Sequence, residues 1–181
     1  LGLTYGLPNN LTDQEEALGP ISKKSWAYNP QLKNYLNNSD QASKYLKDLI
    51  TPTASASALS IILTSMPGYR DVADKIAKAW SDLGVKVQVA ENNASPKNYD
   101  AFLAAIETMP DPDQYSLWHS TQEGNISNLN NPRIDKLLED GRITVDPKER
   151  KQIYQDFQRF LVEDDPAAFL FYPASYTVSR L

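Results

Sequence analysis

The sequence predicts an α/β domain: a mixed β-sheet of about four or five strands with helices packed on it. Three observations carry the prediction. First, the β-rich apolar run Leu59–Thr64 is followed by a helical pattern and then by Val85-Lys86-Val87-Gln88-Val89, which alternates strictly. Strand, helix and strand with short links form a βαβ unit, so two strands are expected to be parallel. Second, Asn131-Pro132 and Asp146-Pro147 each place a capping residue before a proline suited to the first helical position. Third, Ala168-Phe169-Leu170-Phe171-Tyr172 reads as a last buried strand.

Residues 1–38 read as an irregular leading arm. Leu7-Pro8-Asn9-Asn10, Gly19-Pro20 and Asn29-Pro30 are turn or extended signals, with Trp26 and Tyr28 as candidate anchors. From residue 39 to residue 181 the chain reads as a single domain. Its first helix starts near Ser39 or Asp40, carries Ala42, Tyr45, Leu46 and Leu49, and stops at Thr51-Pro52. Ser55–Ser57 is a small-residue loop, and Met66-Pro67-Gly68 a turn. The next helix sets Val72, Ile76, Ala79, Trp80 and Leu83 on one face, with Gly84 placed for a left-handed cap. Residues 92–96 read as loop. Asp100–Ile106 fits helix or buried strand equally well. Residues 121–131 are polar and Asn-rich, hence loop.

The helix after Asn131 buries Ile134, Leu137 and Leu138, and Gly141 is expected to end it. The helix after Asp146 has a capping-box acid at Glu149, and Arg150, Ile153, Phe157, Phe160 and Leu161 on one face. Asp165-Pro166 closes it. After Pro173, Tyr176–Val178 offers a continuation of the last strand.

Composition narrows the function. The chain has 181 residues, no cysteine and a single histidine, which excludes disulfides, thiolate sites and His clusters. Nothing points to a cofactor or a metal. A net charge of -5 with interspersed signs argues against nucleic acid as a partner. No apolar stretch reaches the roughly 18 residues a membrane span needs. No signal peptide is present, and the chain begins at Leu1, not Met, as a processed or excised piece would. The Asn-x-Ser/Thr triplets at Asn10, Asn37, Asn93 and Asn125 read as chance in an Asn-rich chain.

Chemistry concentrates between residues 107 and 125. Glu107, Asp111 and Asp113 form an acidic group, which Asp-Pro-Asp turn geometry explains more simply than paired acid–base catalysis. His119 stands between Trp118 and Ser120, but sequence neighbours do not orient a nucleophile toward a base, and no Gly-x-Ser-x-Gly elbow is present. No catalytic residue is assigned. Trp, His and Ser together suit a ligand wall with few polar anchors, or a structural Trp beside a bonded His. Phosphate-binding glycine loops are absent.

Ordered blocks of the chain resemble one family. Gly19-Pro20-Ile21 with Ser25-Trp26-Ala27-Tyr28-Asn29-Pro30, the helix Ala42–Leu49, and Tyr69–Val87 ending in Leu83-Gly84-Val85 are similar to segments of family 5 extracellular solute-binding proteins. So are Tyr99-Asp100-Ala101-Phe102, Asp111-Pro112-Asp113 with Trp118-His119-Ser120, Asn125, Asn131-Pro132 and Ile134-Asp135. Glu149-Arg150 through Tyr154, Phe157 and Gln158, then Asp165-Pro166-Ala167 and Phe171-Tyr172-Pro173, complete the series. These proteins feed oligopeptides and dipeptides to ABC transporters. The resemblance implies the second, C-terminal lobe of a two-lobed type II periplasmic-binding-protein-like fold, with residues 1–38 arriving from the first lobe. It implies that Asp100–Ile106 is a strand, and that ligand is captured between closing lobes. The ligand-binding candidates are then Glu107, Asp111, Asp113, Tyr115, Trp118, His119, Ser120 and Asn125. The implied partners are a peptide or other small solute and an ABC-transporter permease. The protein would be a monomer and extracytoplasmic, either in the periplasm or anchored outside the cytoplasmic membrane.

One position departs from the family. Peptide-binding members carry an acid a few residues before this proline to meet the ligand's amino terminus. Here Thr108 stands four before Pro112, with Glu107 beside it. Longer peptides, a sugar, a metal complex or heme therefore stay open. Two other classes stay in view: a surface interaction module with a degenerate cleft, and a hydrolase built on the Asp/His/Ser group.

Overall fold

Gly84, at φ 91°, follows the amphipathic helix Arg70–Asp82 in the computed structural model of the chain. The structure describes residues 2–8, 11–12, 14–50, 59–92, 99–107, 109–173 and 179. In chain order the elements are α1 (Gly2–Tyr5), β1 (Glu15–Glu16), α2 (Ser39–Ile50), β2 (Ser60–Ser65), α3 (Arg70–Asp82), β3 (Lys86–Glu91) and β4 (Ala101–Leu103), then α4 (Tyr115–Trp118), α5 (Pro132–Ile143), α6 (Pro147–Asp164) and β5 (Phe171–Tyr172). The chain forms two compact units: residues 1–11 with 34–108, and residues 12–33 with 109–181.

The first unit is built on the expected βαβ unit. Strand β2 lies between β3 and β4 and is parallel to both, with Leu63 opposite Val89 on one side and Ala101 on the other. Helix α3 buries Val72, Ala73, Ile76 and Trp80. Its end is a Schellman turn: Gly84 N–H donates to the Ser81 carbonyl at 2.9 Å and Val85 N–H to the Trp80 carbonyl at 3.1 Å. A left-handed residue is needed there, and glycine takes it without strain.

Three expectations shift in this unit. Asn38, not Ser39 or Asp40, caps α2, its Oδ1 accepting from Gln41 N–H at 3.1 Å. Of the predicted apolar face only Ala42 and Leu46 are buried; Tyr45 and Leu49 are exposed. The Asp100–Ile106 strand is realised only over Ala101–Leu103. Asp100 precedes it as a side-chain partner, its Oδ2 accepting from Ile62 N–H at 2.8 Å.

The second unit packs α5 on α6. Asn131 Oδ1 accepts from Arg133 N–H, and Asp146 Oδ1 from Lys148 and Glu149 N–H, as the Asn-Pro and Asp-Pro signals predict. Gly141 does not end α5, which runs on to Ile143. A Cβ at Gly141 would stand 2.8 Å from Tyr154 Cζ, so glycine lets the α6 tyrosine ring pack close. The buried face of α6 is Tyr154, Phe157, Gln158, Leu161 and Val162; Ile153 and Phe160 are only half-buried. The stripe is therefore turned from the one read in the sequence.

Residues within the leading arm join this core. Ile21 and Ala27 are buried with Trp118, Ile134, Leu138, Tyr154, Phe157 and Leu161. A two-residue ladder pairs Glu15 with Tyr172 and Glu16 with Phe171, antiparallel. The last strand is thus shorter than read and half-buried. The α/β class holds, with the five strands among the described residues divided between a parallel sheet of three and an antiparallel ribbon of two. The expected stop at Thr51-Pro52, the Ser55–Ser57 loop, most of the 92–96 loop and Tyr176–Val178 lie outside the described residues. So do Asn10 and Asn93.

Candidate functional site

The Asp-Pro-Asp segment is a pair of successive Asx turns. Asp111 Oδ1 accepts from Asp113 N–H at 3.0 Å, and Asp113 Oδ1 accepts from Tyr115 N–H at 3.0 Å. The second of these opens the short helix α4, an element the sequence pattern did not reveal.

Each aspartate is then clasped by an arginine. Arg150 donates Nη1 to Asp111 Oδ2 at 3.0 Å and Nη2 to Asp111 Oδ1 at 2.8 Å, a bidentate fork. Its Nε donates to the Gly141 carbonyl at 2.7 Å. Hydrogen bonding from Arg150 holds the Asp111 carboxyl below its ordinary range against some desolvation, and the same pair raises Arg150. Arg142 donates Nε to Asp113 Oδ2 at 2.8 Å and holds its guanidinium carbon over the Tyr115 ring, 4.0 Å from its centroid. Neither Arg142 nor Arg150 was singled out as a site residue in the sequence. Their alternation with acids 29 and 39 positions away leaves no local signature.

Tyr115 stacks on His119, with centroids 4.2 Å apart. His119 is buried. Its Nδ1 accepts from Thr121 N–H at 3.2 Å, which assigns the proton of the neutral ring to Nε2. That Nε2 lies 3.5 Å from Glu139 Oε1 but makes no hydrogen bond among the described residues. Asp135 binds the neighbouring residue twice, accepting Ser120 N–H at 2.9 Å and Ser120 Oγ–H at 2.6 Å. The Ser120 hydroxyl thus faces a carboxylate of α5 and not the His119 ring.

Trp118 belongs to the core, set edge-to-face against Phe169 at 5.9 Å. Its indole Nε1–H is buried without a partner among the described residues. Asn125 organises the loop after His119: Oδ1 accepts from Leu129 N–H at 3.1 Å, and Nδ2 donates to the Leu129 carbonyl at 2.8 Å. Seven of the eight ligand-binding candidates therefore fall in the second unit: Asp111, Asp113, Tyr115, Trp118, His119, Ser120 and Asn125. Glu107 is exposed in the first unit, and Thr108 lies outside the described residues. Beside the clasp stands Trp26, with Arg150 5.5 Å over its ring and Tyr154 edge-on at 6.3 Å.

No family model matches the chain. Among curated proteins it is similar to the oligopeptide-binding protein AppA of Bacillus subtilis, with 30% identity over 118 residues, 59% of this chain and 22% of that one. It is 23% identical over 190 residues to the periplasmic murein peptide-binding protein MppA of Escherichia coli, covering 92% of this chain and 35% of that one. The solved structure of Bacillus subtilis AppA in complex with a nonapeptide superposes with a TM-score of 0.83 at 25% identity, over 95% of this chain and 40% of that one. The chain spans between 14% and 35% of the length of the curated relatives it matches.

Proposed function

We propose, for a chain whose relatives and structural neighbours are family 5 extracellular solute-binding proteins, that it is the second lobe of such a protein and not an enzyme. In this reading the lobe holds an oligopeptide or similar solute against a first lobe, and the closed protein presents it to an ABC permease. The protein works as a monomer on the outer side of the cytoplasmic membrane. The observation that carries the reading is the superposition on peptide-bound AppA over 95% of this chain.

The local geometry supports a binding role. Ser120 Oγ–H is committed to Asp135 and His119 Nδ1 to Thr121, so the described residues of this block contain no Ser–His dyad. No group of three or more His, Asp or Glu residues able to hold a metal occurs among the described residues. Nor is any described helix long and apolar enough to cross a membrane. Within the block, Trp118, His119, Ser120 and Asn125 fix the shape of the wall from behind. Asp111, Asp113 and Tyr115, with their arginines, form its outward side.

Calorimetric titration of the intact protein with an oligopeptide pool tests the proposal. Saturable heat, or peptide carried through purification, is the expected result. Absence of both, with a metal complex, sugar or heme binding instead, would move the ligand to another class and leave the lobe assignment standing.

A further inference from the structure

Each carboxylate oxygen of Asp111, Asp113 and Asp135 accepts at least one hydrogen bond. Asp111 Oδ1 receives Asp113 N–H and Arg150 Nη2, and Oδ2 receives Arg150 Nη1. Asp113 is divided between Tyr115 N–H and Arg142 Nε. Asp135 is divided between the N–H and the hydroxyl of Ser120. A ligand ammonium that drew Asp111 out of its fork would leave Arg150 only its bonds to the Gly141 carbonyl and the Tyr154 hydroxyl. Pulling away a paired carboxylate leaves its partner unsatisfied, a steeper penalty than the new contact returns.

Donors are left over on the arginine side of the turn. The two terminal amines of Arg142 make no hydrogen bond among the described residues. The guanidinium is held by its Nε bond to Asp113 and by its place over the Tyr115 ring, with the side chain 46% exposed. A planar fork held this way is pre-organised for a carboxylate or carbonyl oxygen. Trp118 Nε1–H and, in the assigned tautomer, His119 Nε2–H are buried donors with no hydrogen bond among the described residues.

We infer that this block meets its ligand through donors, with Arg142 as the contacting group, and that Asp111, Asp113 and Asp135 supply no anchor to a ligand ammonium. The inference rests on the solute-binding reading and narrows it. The ligand class is a peptide held at carbonyl and carboxylate oxygens, whether or not its amino terminus is free.

The test uses the intact protein and a random-sequence hexapeptide pool synthesised in three forms: both termini free, amino terminus acetylated, and carboxyl terminus amidated. The captured fraction is quantified by mass spectrometry. The expected ratio of acetylated to free capture is within about threefold of unity, and it is unchanged in Asp111→Asn and Asp113→Asn whatever their overall capture. Arg142→Gln is expected to lower capture of the carboxylate form about tenfold against the amidated form. Arg142→Lys, which keeps the charge but loses the fork, falls between. A tenfold preference for free amino termini that disappears in either Asp variant overturns the inference while leaving peptide binding intact. So does an Arg142→Gln protein, folded by circular dichroism, that captures every form as wild type does. Capture of no peptide in any form removes the solute reading and this inference with it.

Discussion

The fully buried carboxamide of Gln158 donates Nε2–H to the Ala27 carbonyl at 2.8 Å, a bond that joins α6 to a segment 131 positions earlier. Its Oε1 accepts Asn29 N–H at 3.2 Å. Asn29 returns Nδ2–H to the Gln155 carbonyl at 2.9 Å, and Gln155 donates Nε2–H to the Tyr28 carbonyl at 3.0 Å. This amide lattice satisfies the Ala27 and Tyr28 carbonyls and the Asn29 N–H.

Gln158→Leu keeps the side-chain volume and removes the lattice's centre. It leaves the Ala27 carbonyl and Asn29 N–H buried without partners, at about 1–3 kcal/mol each. The expected loss of folding free energy is about 2–4 kcal/mol, read as a lower urea midpoint at unchanged slope. A loss under about 0.5 kcal/mol would mean that water replaces the amide at this position.

Acid should loosen the clasp on Asp111. Its carboxyl is held below the ordinary value, so the native state binds the proton less readily than the unfolded chain. The clasp's stabilisation is thus complete above the unfolded value near about 3.9 and is lost as pH falls toward the lower native one. Asp111→Asn, half-exposed as the residue is, should cost about 0.5–1 kcal/mol at neutral pH, and the gap to wild type should close below about pH 3. Paired denaturation curves from pH 7 downward measure it. A constant gap would assign the effect to the Asx turn and not to charge.

Gly141→Ala separates two reasons for a glycine. Were Gly141 only a poor helix former, alanine would stabilise α5 by about 1 kcal/mol. With Tyr154 at 2.8 Å from the added Cβ, overpacking should instead destabilise by about 1–3 kcal/mol. Thermal melts read the sign. In a Tyr154→Leu background the penalty should shrink.

Tyr172 should make the protein sensitive to alkali. Burial, with Tyr28 and Glu15 adding repulsion, pushes its phenol well above the ordinary tyrosine range. Its hydroxyl donates to the Gly19 carbonyl at 3.1 Å. The native state keeps the proton longer than the unfolded chain does, so this stabilisation is full below about pH 10 and fades as pH rises beyond it. Tyr154 is likewise pushed up by burial, so phenolate absorbance should show a late component that ionises with unfolding. In Tyr172→Phe that component should shrink by one tyrosine.

Legibility followed the range of the interactions. The βαβ unit, the caps at Asn131 and Asp146 and the Gly84 turn were readable because each is set within a few residues. Asn38 was missed as a cap because Ser39 and Asp40, equally suited, follow it. Gly141 was misread because its reason lies across the helix pair, in Tyr154. At the candidate site, the Asp-Pro-Asp turn was legible and its arginines were not, since nothing local ties residue 113 to 142 or 111 to 150. The ordered blocks located the segment, but only side-chain geometry separates Trp118, set in the core, from Arg142, set on the surface.

The second unit is assembled from residues 12–33 and 109–181, with the whole of 34–108 running between them. The hydrogen bond from Tyr172 to Gly19 closes 153 positions of chain. Folding of the two units is therefore unequal in time. Most contacts of the first unit are available once residue 108 has been synthesised, whereas residues 12–33 must wait for α6 and β5. High contact order slows such closure, and until it occurs Ile21, Ala27 and the backbone of 27–29 stand unprotected. That interval is when the nascent chain is most open to a chaperone, or to a second copy of itself.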